Sequence, residues 1–205
     1  MLSLLKKILF TLVLGTSLAQ AAPDNKTALL SLLKTSQFSA DFEQEISDSD
    51  GKLLERSQGH LNVLQPTYFD WRVENPYRQQ IVNDGTYIWS YDLDFSQITQ
   101  FHASQSLQDT PAQLLTGDPT ALKNYEVQLA SCDEECFDLI ATAEETPFRK
   151  LQFIFKKGDL IAIEMTDNLN QQSRLTFLNR NKNIQLKRSD FKFTPPKGVD
   201  VIAAK

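Results

Sequence analysis

Residues 66–101, PTYFDWRVENPYRQQIVNDGTYIWSYDLDFSQITQF, alternate apolar and polar side chains so regularly that paired β-strands are the structure they suit. Phe69, Trp71 and Val73 alternate with Asp70, Arg72 and Glu74. Asn83-Asp84-Gly85 supplies a tight turn, after which Tyr87, Trp89 and Tyr91 alternate with polar Thr86, Ser90 and Asp92. Read with a period of two, nearly all the rings share one face, giving an apolar wall backed by a wet one. Both tryptophans lie in this stretch. So much ring surface on one face suggests the lining of a hollow; plain core packing fits the residues alone equally well.

The rest of the chain repeats the strand pattern. Phe38, Ala40, Phe42, Gln44 and Ile46 alternate, a polar turn follows at 47–52, and 53–64 alternate again with Gly59 as a bulge or bend. The cassette supplies about three more strands. Later come Leu151, Phe153 and Phe155, then a Lys157-Gly158-Asp159 turn into Ile161, Ile163 and Met165, and then Leu175 and Phe177. Ile184 with Leu186, and Phe191 with Phe193, read as last strands, ended by Pro195-Pro196 because proline cannot donate to a ladder. Helices are few. Asp24 caps an amphipathic stretch over 24–35 that carries Ala28, Leu29, Leu32 and Leu33. Thr110–Gly117 reads as a short helical turn with Leu114 and Leu115, and another begins near Pro119. The expected fold is a large, curved antiparallel sheet or barrel with short helices covering its concave face.

The amino terminus sets the compartment. Lys6 and Lys7 precede the apolar run Ile8–Leu14, and Ala19-Gln20-Ala21 completes the layout of a secretory signal peptide. Residues 1–21 are expected to be removed before Ala22, which leaves 22–205 as one exported domain. The run is shorter than the roughly 20 residues of a membrane span. Losing two lysines moves the formal charge from −5 to −7. With no Lys/Arg run, nucleic acid is excluded as an expected partner. Cys132 and Cys136, the two cysteines of the chain, are expected to form a disulfide across a three-residue hairpin loop.

The sequence offers no catalytic set, cofactor motif or metal spacing. His60 and His102 stand alone, and nucleophile-elbow, phosphate-loop and dinucleotide patterns are missing. Asp92 and Asp94, two apart, read as the polar end of a hairpin rather than as an acid–base pair.

Several blocks, in order, resemble one family. Gln65-Pro66-Thr67-Tyr68-Phe69-Asp70-Trp71, Asn75-Pro76-Tyr77, Asp84-Gly85, Trp89-Ser90-Tyr91-Asp92 and Gln97-Ile98-Thr99 are similar to the periplasmic outer-membrane lipoprotein carriers, the LolA family. So are Thr110–Leu115 and the ending Phe191–Ile202. The resemblance implies an incomplete, unclosed antiparallel β-barrel with an α-helical lid over an apolar cavity. It implies a monomeric, non-enzymatic carrier that accepts acylated lipoproteins from an inner-membrane ABC transporter and passes them to an outer-membrane receptor. On this reading Phe69, Trp71, Trp89 and Tyr91 line the cavity, and Leu32, Leu114 and Leu115 face it from the lid. The family usually has an arginine latch before the cassette proline; here the position is Gln65, with fewer donors and no charge, so a weaker hold is expected. A binding or sensing module of the same fold for another lipid or glycolipid is the alternative. A lipid hydrolase lacks a visible nucleophile, and the lipidated receptor of the pathway would need a cysteine at the cleavage site.

Overall fold

The computed structural model describes residues 24–34, 37–103, 115, 119–144 and 146–204. The signal-peptide stretch, Leu114 and most of 110–117 lie outside the described residues. Strands form where alternation is strict. β1 (Gln37–Ser47) and β2 (Leu53–Leu64) are joined by a turn in which the Asp48 carboxylate accepts from the Asp50 and Lys52 amides. The cassette supplies four strands rather than three: β3 (Tyr68–Asn75), β4 (Gln79–Asn83), β5 (Tyr87–Asp92) and β6 (Gln97–His102). β7 (Tyr125–Ala130), β8 (Glu135–Ala141), β9 (Phe148–Lys156), β10 (Asp159–Asp167) and β11 (Gln172–Asn181) follow. Lys157 and Gly158 close the β9–β10 hairpin with φ of 53° and 77°, the positive values that two-residue hairpin turns demand.

The ending departs from expectation. Residues 182–187 are not a strand, Phe191 closes a 3-10 turn (Arg188–Phe191), and the prolines precede rather than end the last strand, β12 (Asp200–Ala203). Phe191 and Phe193 alternate as strand residues do, but they are spent on rings of the sheet's far face: Phe191 on Tyr68, and Phe193 on Trp89 and Tyr91.

The strands form one sheet in the order β12-β6-β5-β4-β3-β2-β1-β11-β10-β9-β8-β7. Among the described residues every pairing is antiparallel except β12 with β6, which is parallel. The end strands β12 and β7 do not meet, so the barrel is unclosed. Directly paired residues share a face, and the rows Phe38–Val63–Phe69, Ala40–Leu61–Trp71–Ile81 and Phe137–Phe153–Ile163–Leu175 make that face apolar. Across this inner face lies α1 (Asn25–Leu33), capped by the Asp24 carboxylate on the Thr27 amide, with Leu29 and Leu33 buried among the sheet's apolar side chains. Leu115 and Leu122, the latter ending a 3-10 turn (Pro119–Leu122), are buried in the same cluster.

Cys132 and Cys136 are bonded across the β7–β8 hairpin, where Ala130 pairs with Cys136. The ladder already holds these strands together. Replacing both cysteines by serine is expected to lower the unfolding free energy by about 2 kcal/mol or less, measured by urea titration.

Candidate functional site

The inner face is not filled evenly. Toward the ends of β3 and β5 it opens into a cavity of about 600 Å³ walled by Phe69, Trp71, Val73 and Ile81. Gln44, Ser57 and Gln79 add a few polar groups, and Tyr77 and Phe95 stand at its mouth beside Glu55, Arg78, Asp92 and Asp94. That size and that mixture, apolar walls with polar groups at the entrance, suit an elongated apolar ligand whose polar end stays in water. Trp71 is fixed from behind by Phe42, with ring centroids 4.3 Å apart. Phe38 and Phe42, which by pattern suit either core or lining, are core.

Trp89 and Tyr91 do not join this wall. Trp71 pairs with Ile81 and Ile81 with Ser90, while Trp89 pairs with Val82 and Val82 with Asp70. Trp89 and Tyr91 therefore lie on the convex face. The cause is the turn: four residues separate the paired Asn83 and Ile88, and an even number inverts which residue numbers face inward. Outside, the rings are partly covered by Phe193, and the Trp89 indole N–H donates to Asp84 at 2.8 Å. Trp89→Ala is accordingly expected to lower stability yet leave uptake of an apolar dye unchanged within about twofold, whereas truncating Trp71 impairs uptake.

Gln65 sits where the lid meets the sheet. Its side-chain amide donates to the Leu33 carbonyl at 2.8 Å and to the Leu115 carbonyl at 3.1 Å. One amide thus ties the end of α1 and the Leu115 segment to the sheet, using both of its N–H groups. Leu32, expected to face the cavity, is only partly buried against the core; Leu29 and Leu33 are the residues of α1 that plunge into it. The sequence spacing allowed either pair, because both recur at helical intervals.

The acidic pair is a turn device. The Asp92 carboxylate accepts from the Asp94 and Phe95 amides, and Asp94 accepts from the Arg78 amide and guanidinium at 2.9 Å. The Arg78 amide, then its guanidinium, hold the Asp94 carboxyl below its ordinary range. His60 lies on the convex face, 2.8 Å from Asp41, while the Asn179 amide and the imidazole lower the pKa of Asp41. Neither histidine touches the cavity. Pattern reading missed Ile81, Gln79, Tyr77 and Phe95 as wall and mouth. Ile81 and Gln79, both on β4, are signalled only by pairing with Trp71 and Val73, and Tyr77 and Phe95 come from turns whose shape alternation does not encode.

The sequence profile of the family described as outer membrane lipoprotein carrier protein LolA matches residues 33–194. The chain belongs to the LolA family. A relative called outer-membrane lipoprotein carrier protein in Chromohalobacter salexigens is 35% identical over 201 residues, covering 94% of this chain and 96% of its own. One of the same description in Neisseria meningitidis is 31% identical over 202 residues, covering 95% and 97%. Among solved structures, an uncharacterized conserved protein of Thermus thermophilus superposes with a TM-score of 0.56 at 12% identity, covering 87% of this chain and 97% of its own. A LolA-superfamily protein of Nitrosomonas europaea gives 0.52 at 14% identity, covering 83% and 99%. Both share the fold of this LolA-family chain.

Proposed function

We propose that this LolA-family protein is a non-catalytic periplasmic carrier of acylated lipoproteins, exported by cleavage before Ala22 and working as a monomer. It takes cargo released by an inner-membrane ABC transporter and delivers it to an outer-membrane receptor. The observation that carries the reading is the apolar cavity on the inner face, bounded by Phe69, Trp71 and Ile81. Family membership and relatives called outer-membrane lipoprotein carrier proteins supply the cargo class.

The energetics fit a carrier. Each buried methylene of an acyl chain contributes about 0.8 kcal/mol, so an acylated protein does not cross water uncovered. Moving α1 off the sheet exposes Leu29 and Leu33, at about 1.5–3 kcal/mol each, while breaking the two Gln65 bonds costs about 1 kcal/mol apiece. Burying about ten methylenes offsets the whole of that cost. A helix held by contributions of this size can yield to lipid, and direction comes from a donor and a receptor that differ in their hold on the cargo.

A guanidinium in place of the Gln65 amide would bond the same two carbonyls with charge-assisted strength. Gln65→Arg is expected to slow release of bound lipoprotein to acceptor membranes several-fold, measured as transfer over time from the loaded protein; an unchanged rate would remove the latch role from this position. The carrier reading is tested by mass spectrometry of the protein isolated from its own periplasm. Co-purified triacylated lipoproteins support it, and free lipid or glycolipid alone moves the assignment to a binding module of the same fold.

A further inference from the structure

The inner face of β2 changes character in steps of two residues. From the mouth inward, Glu55, Ser57, Gly59, Leu61 and Val63 share that face and present in turn a charge, a hydroxyl, no side chain and two apolar groups. Ser57 is the member that needs explaining. It is only 5% exposed, it lines the cavity, and its hydroxyl meets no hydrogen-bond partner among the described residues. Gln44, also lining the cavity, pairs with Ser57 directly, so the two side chains stand side by side. The Gln44 amide donates one N–H to the Ser173 hydroxyl at 2.8 Å and keeps a second. A buried donor left unpaired costs free energy until a ligand brings an acceptor, and two uncharged donors suit a carbonyl oxygen. Further out the rim is acidic. Glu55, Asp92 and Asp94 line it, and Arg78, the sole cation among the described lining residues, is engaged by Asp94 at 2.9 Å. Glu55 is exposed and lies two strand residues, about 7 Å, outward of Ser57.

We propose that the mouth selects acyl chains by the charge of the group they hang from. Ser57 and Gln44 donate to the uncharged ester or amide carbonyl at the head of a chain, and the carboxylates outside them turn away the phosphate of a phospholipid. The proposal rests on the carrier reading and specifies the ligand chemistry of that same cavity. A triacylated cysteine joins its chains through two esters and one amide, and carries no charge at that point. A glycerophospholipid presents the same ester carbonyl but places an anionic phosphate a few bonds further out, at the level of Glu55. There it faces three carboxylates and one committed guanidinium beside apolar walls, where like charges repel more strongly than in open water. Apolar walls alone do not separate the two lipids, because their chains are alike. The rim does so by penalising the wrong head.

Two soluble lipids with identical chains, dioctanoylglycerol and dioctanoyl phosphatidylglycerol, test this on the full mature protein. Each competes with N-phenyl-1-naphthylamine, an uncharged fluorophore that lacks a carbonyl, for the cavity. The native protein is expected to bind the uncharged lipid at least about tenfold more tightly than the anionic one. Glu55→Lys, a change at an exposed residue, should narrow that gap about fivefold or more by strengthening the anionic lipid, with the urea midpoint near native. Ser57→Ala should weaken dioctanoylglycerol about fivefold more than it weakens the dye, the factor that goes with one neutral hydrogen bond. Equal affinity of the native protein for the two lipids would overturn the proposal and leave the carrier reading standing. So would a gap that Glu55→Lys leaves unchanged, or equal losses of lipid and dye in Ser57→Ala. Binding of neither the dye nor dioctanoylglycerol by the native protein would sink the carrier reading and the selection together.

Discussion

Placing a carboxylate on the inner wall should abolish loading. Trp71→Glu is expected to lower extraction of acylated lipoproteins from membranes by at least about a hundredfold, because a charge facing acyl chains in a water-poor cavity costs several kcal/mol. Trp71 is buried and packs on Phe42, so part of its effect falls on the fold itself. Ile81→Glu separates the two effects. Ile81 pairs directly with Trp71, lines the same cavity and is only half-buried, so a glutamate there reaches the ligand space with less damage to the core. Both variants should fail to load. Ile81→Glu should do so with a circular-dichroism spectrum and urea midpoint near those of the native protein. Normal loading by a folded Ile81→Glu would show that the acyl chains lie elsewhere.

The second large effect concerns the fold. Gly59 lies in β2 where the register with β3 shifts, and a Cβ placed on it would sit 1.8 Å from the Arg72 carbonyl oxygen and 2.8 Å from Cζ of Phe42. Neither neighbour can yield cheaply. The carbonyl belongs to the backbone of β3, and the Phe42 ring is wedged against Trp71. Gly59→Ala is therefore expected to cost more than about 3 kcal/mol, a large share of the 5–15 kcal/mol by which domains are stable. Gly158→Ala provides the contrast. There φ is +77° but no atom lies within 4 Å, so only the backbone preference is lost, at about 1 kcal/mol. Urea denaturation of both variants measures the difference. Equal midpoints would mean that β2 and β3 do not approach as closely as described.

Much of the fold was legible because alternation carries physical information. A period of two marks a strand with one dry face, and β1, β2, β3, β5, β9 and β10 all show it. What alternation cannot carry is phase across a turn. Phe69, Trp71, Trp89 and Tyr91 look like one wall when odd numbers are counted together, yet the Asn83–Ile88 hairpin inverts the phase and sends Trp89 and Tyr91 outside. Phe191 and Phe193 show the complementary difficulty. Their spacing suits a strand, but the two rings are taken up by the convex-face cluster, and Pro195-Pro196 lies before the parallel strand β12. Gln65 was legible as a position through the family pattern, whereas its actual pair of acceptors, Leu33 and Leu115, required coordinates because they are 32 and 50 residues away. Leu29 and Leu33 lie deeper than Leu32 for a similar reason: helical spacing defines a stripe, and only the underlying sheet decides which edge of the stripe is deepest.

The central claim, that the inner wall beside Trp71 shelters acyl chains while the convex face does not, has a direct test. A photo-crosslinking amino acid is placed singly at Trp71 and at Trp89, the cells are irradiated, and adducts are identified by mass spectrometry. Attachment of lipoprotein acyl chains at position 71 with none at 89 is the predicted result. Acyl adducts at 89, or none at 71 in a folded protein, would contradict the account.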